Sequence, residues 1–545
     1  MASQSGGLPV HQAIARMLLA NDVHTVFGLM GDANMFMIDY FIRECGGTFV
    51  AAAHEAGAAT MALGFAASSG RIGVCSVTHG PAMVNTITAM AHGVKASLPM
   101  VVICGDTDTE DRYHTQNIAQ REFAIAAGAG FEQLRSPRTV AEDVATAIRR
   151  AVAERRPIAL NVPLEFDWRD ADGFEPVKVK FPEARALVSS SDDIDNAVGI
   201  IAAAKRPIVV AGRGATSAEA RNSILKLAER IEAPLATTLK GKDLFQGEAF
   251  NLGIFGTVSS PAAVDAIVES DCILAFGSSL NTKTVSAGSF LKGKRSIQVN
   301  LEPAEIAKNF RADVGLVGDP AQVADLIVHW LDEAEIPPSG FRSEELRDRL
   351  AQPEPLNPMD NGDGTVDYMR SLVELDRILP ANRLIVTDVG RFMLKVWTTV
   401  HVDHPSAFVS TSDFGSIGLG MSHAIGAAFG APDRPAVLFC GDGGFMHGGL
   451  AEFNTAVRHN ADVIVVVCND GCYGAEQVKF HYKNMDFGTI RFDWPDFVST
   501  AVALGGEGVR VQSEADWSIA EQAIRARTKP LLIDVRFNPT RLPLF

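Results

Sequence analysis

Cysteine is scarce, with 7 in 545 residues, and Cys75, Cys104, Cys272, Cys440 and Cys468 fall inside apolar runs that read as strands. This counts against a disulfide framework or a zinc site and favours reduced core thiols. Basic residues are in deficit, 49 Lys and Arg against 65 Asp and Glu, for a formal net charge of −16. Nucleic acid and anionic membranes are therefore poor partners. No uninterrupted apolar run reaches the length of a membrane span, and the opening residues lack a basic stretch followed by an apolar core, so a cytoplasmic protein is expected. Aromatic residues make up only 7% of the chain. Abundant Ala and Gly in their place suit close packing of helices on sheets.

The length exceeds what one hydrophobic core supports and predicts about three domains. Residues 1–168 alternate helical patterns with short apolar runs at 25–28, 49–53, 73–77, 100–104 and 158–162, the pattern of a parallel sheet with crossover helices. A polar linker at 169–193 leads to a second α/β region, 194–335, with strands near 208–211, 272–276 and 296–300. A charged, Pro- and Gly-rich passage at 336–365 precedes a third region, 366–545, with strands at 383–387, 435–440, 463–468 and 531–535. The fold class is α/β, three consecutive open, mostly parallel Rossmann-like sheets without visible sequence repetition.

The third region carries the most informative stretch. An apolar strand ends at Gly441-Asp442-Gly443, a helical pattern follows, and a second apolar strand ends at Asn469-Asp470-Gly471-Cys472-Tyr473. Both acidic turns lie at carboxyl ends of parallel strands, where ligands bind in open α/β sheets. Glycines there let backbone N–H groups approach an anion, and oxygen ligands from the two turns suit Mg²⁺ shared with a phosphate.

Gly-Asp-Gly followed at this distance by Asn-Asp resembles the motif of the thiamine diphosphate-dependent superfamily of acetolactate synthase, pyruvate oxidase and pyruvate decarboxylase. The resemblance implies metal ligation by Asp442, Asp470 and the backbone carbonyl of Cys472. An Asp stands at position 470 where Asn is usual, with Asn469 as a fallback ligand. It assigns the cofactor contacts to Gly390, Gly443, Gly444 and Tyr473, and to the run Gly415-Ser416-Ile417, in which Ile417 would hold the cofactor bent. Arg391-Phe392 stands where relatives often have His, so Arg391 joins the cofactor residues as a departure from the pattern.

In the first region, His54-Glu55 followed by small residues resembles the pyrimidine-binding domain of the same superfamily. There Glu55 would bond the aminopyrimidine and promote loss of the thiazolium proton, with Asn85 beside the cofactor. An N-terminal helix carboxylate favoured by the helix dipole is the plainer reading of Glu55. Gly31-Asp32-Ala33-Asn34, His114-Thr115 and Glu476 resemble pyruvate decarboxylases and imply that Asp32, His114 and Glu476 relay protons. Thr78-His79-Gly80-Pro81 with Asn85 resembles acetolactate synthases, as does Gln116, whereas Gln120 matches aldehyde lyases; His79 is a polar candidate near the thiazolium. Alone, Asp32 reads as a turn residue, His114 as a surface loop residue and Glu476 as a first-turn acid.

The resemblance implies thiamine diphosphate and Mg²⁺ as cofactors, a homodimer at minimum and a homotetramer as the fuller assembly. A small 2-oxo acid or related carbonyl compound would be the substrate. The expected reaction is decarboxylation with release or carboligation of the resulting enamine; the alternative is a lyase of 2-hydroxy ketones or 2-hydroxyacyl thioesters. FAD, ADP or no nucleotide remain open for the central region, because Gly212-Arg213-Gly214 lacks the third glycine of a dinucleotide fingerprint. A dehydrogenase built on that turn and a silent regulatory subunit are the competing classes.

Overall fold

The structure is a computed structural model that describes residues 7–111, 113–181, 191–352 and 355–541. Its strands form three six-stranded sheets. The first comprises β1 (Thr25–Gly28), β2 (Thr48–Ala51), β3 (Gly73–Val77), β4 (Met100–Asp106), β5 (Gly130–Gln133) and β6 (Pro157–Pro163). The second comprises β7 (Pro207–Ala211), β8 (Leu235–Thr237), β9 (Asn251–Ile254), β10 (Cys272–Phe276), β11 (Arg295–Asn300) and β12 (Val314–Val317). The third comprises β13 (Leu384–Thr387), β14 (Phe408–Ser410), β15 (Ala436–Gly441), β16 (Val463–Asn469), β17 (Glu507–Val511) and β18 (Leu531–Arg536).

The first and third sheets share one topology. Their orders are β2-β1-β3-β4-β6-β5 and β14-β13-β15-β16-β18-β17, so each has its first and third strands side by side at the point where the winding reverses. The second has the order β12-β11-β10-β7-β8-β9. Central strands such as β3, β10 and β16 are buried along their whole length, as parallel strands covered on both faces must be.

Two compact units contain these sheets: residues 1–182, 357–396 and 409–545 form one, and 183–356 with 397–408 form the other. In the second unit the fully buried Lys242 is bonded to Asp243 and donates to the carbonyl of Val400 at 2.9 Å. The Val402 N–H donates to the same Asp243 carboxylate at 2.9 Å, which anchors the returning segment. The passage 336–365 contains a short helix, Glu344–Ala351, and the helix opening the second sheet begins at Ser191. Part of the polar linker, 182–190, lies outside the described residues.

In the first unit the helix Glu55–Ser69 runs against the helix Gly420–Gly430, and both are buried on nearly every side. Glycines set their spacing. A Cβ on Gly64 would lie 2.2 Å from the His423 carbonyl oxygen, and one on Gly426 would lie 1.8 Å from that of Met61. This close backbone approach explains the small-residue run after Glu55.

Candidate active site

In the first sheet the turns after β1 and β3 lie at the switch point and carry Asp32 and His79. In the third sheet the turns after β13 and β15 occupy the same place and carry Asp388–Arg391 and Asp442. The crevice at such a reversal is where open α/β sheets bind ligands. The turns at these two reversals also carry Asn85, Gly390, Arg391, Gly443 and Gly444, whereas Glu55 follows β2, His114, Gln116 and Gln120 follow β4, Gly415, Ser416 and Ile417 follow β14, and Asp470, Cys472, Tyr473 and Glu476 follow β16.

Glu55 is the first residue of its helix, whose N-cap is His54. The Asn85 amide donates to Glu55 Oε2 at 3.0 Å, so Asn85 orients the carboxylate while leaving the other oxygen free of it. Asp32 accepts from the Thr78 hydroxyl at 2.7 Å and from the Ala33 N–H at 3.0 Å. The Thr78 bond holds its carboxyl below the usual range, and Asp32 is ionised at neutral pH. His79 is fully buried; its Nε2 lies 3.6 Å from Asp32 Oδ2, and neither ring nitrogen has a hydrogen-bond partner. The His114 ring meets it edge-on with centroids 5.2 Å apart. Asp32, His79 and His114 are thus neighbours, running from a surface carboxylate past a buried imidazole to a loop, with no hydrogen bond on either His79 nitrogen.

Gln120 is placed differently. Its carbonyl accepts from the Gly80 N–H at 2.8 Å, and its amide donates to Gly105 O at 2.8 Å and Asn161 Oδ1 at 2.6 Å. It fixes the turn that follows His79, and Gln116 lies against Gly80 through its backbone. Glu476 sits exposed in the first turn of the helix Gly474–Lys483 and shares no hydrogen bond with Asp32 or His114 in the single chain.

In the third sheet, Asp442 Oδ1 accepts from Gly443 N–H and Oδ2 from Gly471 N–H, both at 2.7 Å. The second turn is thereby tied to the first. Burial, reinforced by the charge of Asp470, pushes the Asp442 carboxyl up to about 7, and burial raises Asp470 as well. Two carboxylates buried near one another disfavour each other's charge, and a nearby positive charge offsets this. Asn469, the fallback ligand, turns away: its amide donates to Asp534 Oδ1 at 2.8 Å. Asp470 also pairs with Arg391 Nη2 at 3.0 Å, and the Cys472 N–H donates to its Oδ1 at 3.2 Å.

Around this pair the small residues are required by space. A Cβ on Gly443 would meet the Tyr473 ring at 2.5 Å, one on Gly444 would meet Asp388 Oδ2 at 2.8 Å, and one on Gly390 would meet the Phe392 ring at 2.5 Å. Gly415 and Gly418 have φ of +80° and +82°, conformations that favour glycine. Between them Ile417 is only partly buried although Gly418 and Leu419 are buried, and Ser416 bonds its carbonyl at 3.3 Å.

Among the described residues no group of three or more His, Cys, Asp or Glu is placed to hold a metal ion. Residues 9–127 match the model of the thiamine pyrophosphate enzyme N-terminal TPP binding domain, 194–327 the central domain, and 388–535 the C-terminal TPP binding domain. The chain belongs to the thiamine pyrophosphate enzymes. It is 28% identical to an acetolactate synthase of Mycobacterium leprae, covering 96% of this chain and 86% of the relative. It is 27% identical to a probable acetolactate synthase large subunit of Methanocaldococcus jannaschii, with 98% and 93% covered. A sulfoacetaldehyde acetyltransferase of Alcaligenes xylosoxydans is also 27% identical, with 93% and 88% covered.

Within this thiamine pyrophosphate enzyme, two site residues escaped the sequence reading. Asp388, fully buried and pushed up to about 6 by that burial, accepts from the N–H groups of Val389 and Gly418 at 2.8 Å and so pins the Ile417 turn. His447 lies on a π-helical turn, Phe445–Gly449, directly after the Asp442 turn, and a Cβ on Gly418 would meet its Nδ1 at 2.5 Å. Turns of this kind recur at functional sites, but a π-bulge leaves no mark in hydrophobic spacing. In the central domain, the N–H groups of Gly212, Gly214 and Ala215 are bonded to the carbonyls of Phe276, Gly277 and Gly212 at 2.8, 3.0 and 3.0 Å. Those donors serve the turn itself.

Proposed function

We propose that this enzyme uses thiamine diphosphate and Mg²⁺ to cleave the bond between a carbonyl carbon and its carboxylate in a small 2-oxo acid. The remaining fragment is then released as an aldehyde or joined to a second carbonyl compound. The observation that carries the reading is the Asp442–Asp470 carboxylate pair, bound to the glycine turns of one TPP binding domain, in the same chain as Glu55 held by Asn85 in the other.

When bound, thiamine diphosphate supplies the carbon nucleophile and the electron sink. Asp442, Asp470 and the carbonyl of Cys472 would hold the metal, and Gly390, Gly443, Gly444, Tyr473 and the neighbouring Arg391 would line the diphosphate side. Ile417 offers a partly open apolar surface to the rings, with Gly415 and Ser416 shaping its turn. Glu55, oriented by Asn85, would be the carboxyl group that exchanges a proton with the aminopyrimidine. His79, lying 3.6 Å from Asp32 and facing His114, would deliver the proton that replaces CO₂ when the product is an aldehyde, and Glu476 would reach that face from a second chain in a dimer.

Similarity to the sulfoacetaldehyde acetyltransferases supports a second reading, in which the C–S bond of sulfoacetaldehyde breaks, sulfite leaves and the acetyl fragment passes to phosphate, with the same cofactor and the same Glu55. The test is product analysis after anaerobic incubation with thiamine diphosphate, Mg²⁺ and a panel of 2-oxo acids, alone and with an added aldehyde or 2-oxo acid, and with sulfoacetaldehyde and phosphate. Aldehyde or hydroxyketone from a 2-oxo acid supports the first reading. Turnover of sulfoacetaldehyde alone replaces it with the second.

A further inference from the structure

Arg391 stands where the superfamily pattern leads one to expect a different residue, and Asp470 adds a carboxylate where an uncharged amide is usual. The structure places these two departures in contact. The guanidinium Nη2 lies 3.0 Å from Asp470 Oδ2, with the two side chains 5% and 10% exposed, and it also donates to the Pro539 carbonyl at 3.2 Å. Arg391 Nε is buried with no hydrogen-bond partner. A Cβ on Gly474 would lie 3.0 Å from that Nε and 3.1 Å from Asp470 Oδ2, so the glycine leaves a small gap bordered by both.

Resting on the cofactor assignment above, we propose that Arg391 is the counter-charge that makes Asp470 usable as a metal ligand beside a diphosphate. Asp442 and Asp470 together bring two negative charges to a site that must also accept the anionic diphosphate. In a buried site these charges are poorly screened, and one fixed positive charge on Asp470 returns the balance to that of a single carboxylate. Arg391 contacts Oδ2 and the Cys472 N–H donates to Oδ1, and a carboxylate oxygen that accepts from one such donor keeps a further lone pair for a metal. Its unpartnered Nε–H remains a donor toward the gap beside Gly474. Arg391 is thus a positioning residue whose value depends on Asp470.

The test is a double-mutant cycle read as binding of thiamine diphosphate, by quenching of intrinsic fluorescence at saturating and at limiting Mg²⁺. With Asp470 present, R391Q is expected to weaken cofactor binding on the order of tenfold to a hundredfold, the scale for removing one partner of a buried charge pair. In the D470N background the same change is expected to cost only about threefold or less, because the excess charge is gone. R391K, which keeps the charge but not the fork, recovers most of the binding and shows that R391Q is not simply misfolded. Equal losses in the two backgrounds, or no loss from R391Q, overturn the charge pairing while leaving the cofactor assignment intact. Absence of binding by the unmodified enzyme overturns both.

Discussion

At the scale of single residues, the most consequential contact is that between Asn85 and Glu55. A carboxylate at a helix start needs no partner for stability, since the dipole already favours it. An amide spent on one of its oxygens therefore serves orientation. Replacing Glu55 by Gln keeps the shape and removes the proton exchange, so turnover is expected to fall about 10²–10⁴-fold with little change in cofactor affinity. Steady-state rates alongside a binding titration check this, and an unchanged rate removes Glu55 from the mechanism. Replacing Asn85 by Ala leaves the carboxylate present but loose. A drop in kcat of about tenfold is expected, smaller than for E55Q, with cofactor affinity nearly constant. His79 gives a different signature. Substitution by Phe keeps a buried ring beside His114, and the expected effect falls on aldehyde release, measured as product ratio, more than on consumption of the 2-oxo acid.

Among elements, the legibility of the sequence follows burial. Strands such as β3, β10 and β16 stood out as continuous apolar runs because both faces are covered. The strands that went unread, β5, β8, β9, β12, β14 and β17, are mostly at sheet edges, where Gly-Phe-Glu-Gln in β5 or Glu-Gly-Val-Arg-Val in β17 breaks the run with polar residues. The site was legible in its turns for the same reason. Gly441-Asp442-Gly443 and Asn469-Asp470 follow buried strands, and their order along the chain mirrors their adjacency in the sheet. What the sequence did not disclose was pairing across distance: Arg391 with Asp470, Asn85 with Glu55, and the helix contact through Gly64 and Gly426.

That helix contact supports two expectations. Replacing Gly426 by Ala places a methyl group against a backbone carbonyl that cannot yield easily, and a loss of about 1–3 kcal/mol is expected from overpacking, read as a lower thermal midpoint. The contact also buries two histidines, His423 and His92, whose rings meet edge-on with centroids 5.2 Å apart. Burial, with a contribution from His92, holds His423 well below its ordinary value of 6.5. The unfolded chain therefore binds a proton that the folded chain refuses once the pH falls below about 6.5, and stability declines with acidification by up to about 1.4 kcal/mol per pH unit for one such group. The expected result is a thermal midpoint that falls between pH 7 and pH 5, with a shallower fall in H423L. A pH-independent midpoint in the unmodified protein would count against a neutral, buried His423.

On the scale of the whole molecule, the two TPP binding domains are built on sheets of the same topology. Under the proposed reading, the proton-handling residues Asp32, Glu55 and His79 belong to the N-terminal TPP binding domain, and the metal ligands Asp442 and Asp470 with their positioning residue Arg391 belong to the C-terminal one. If one cofactor bridges Glu55 of one chain and Asp442 of another, neither E55Q nor D442N is active alone, yet mixed dimers contain one site with both changes and one with neither. After subunits exchange at equal amounts, half the dimers are mixed and about a quarter of all sites regain both wild-type residues, as expected for a closed two-fold assembly. Activity recovered on mixing, with each parent variant silent, is the expected outcome. A site completed within one chain gives no recovery at any mixing ratio, since every chain then carries a defect in its own site, and that result would place Glu55 and Asp442 around a cofactor held by a single subunit.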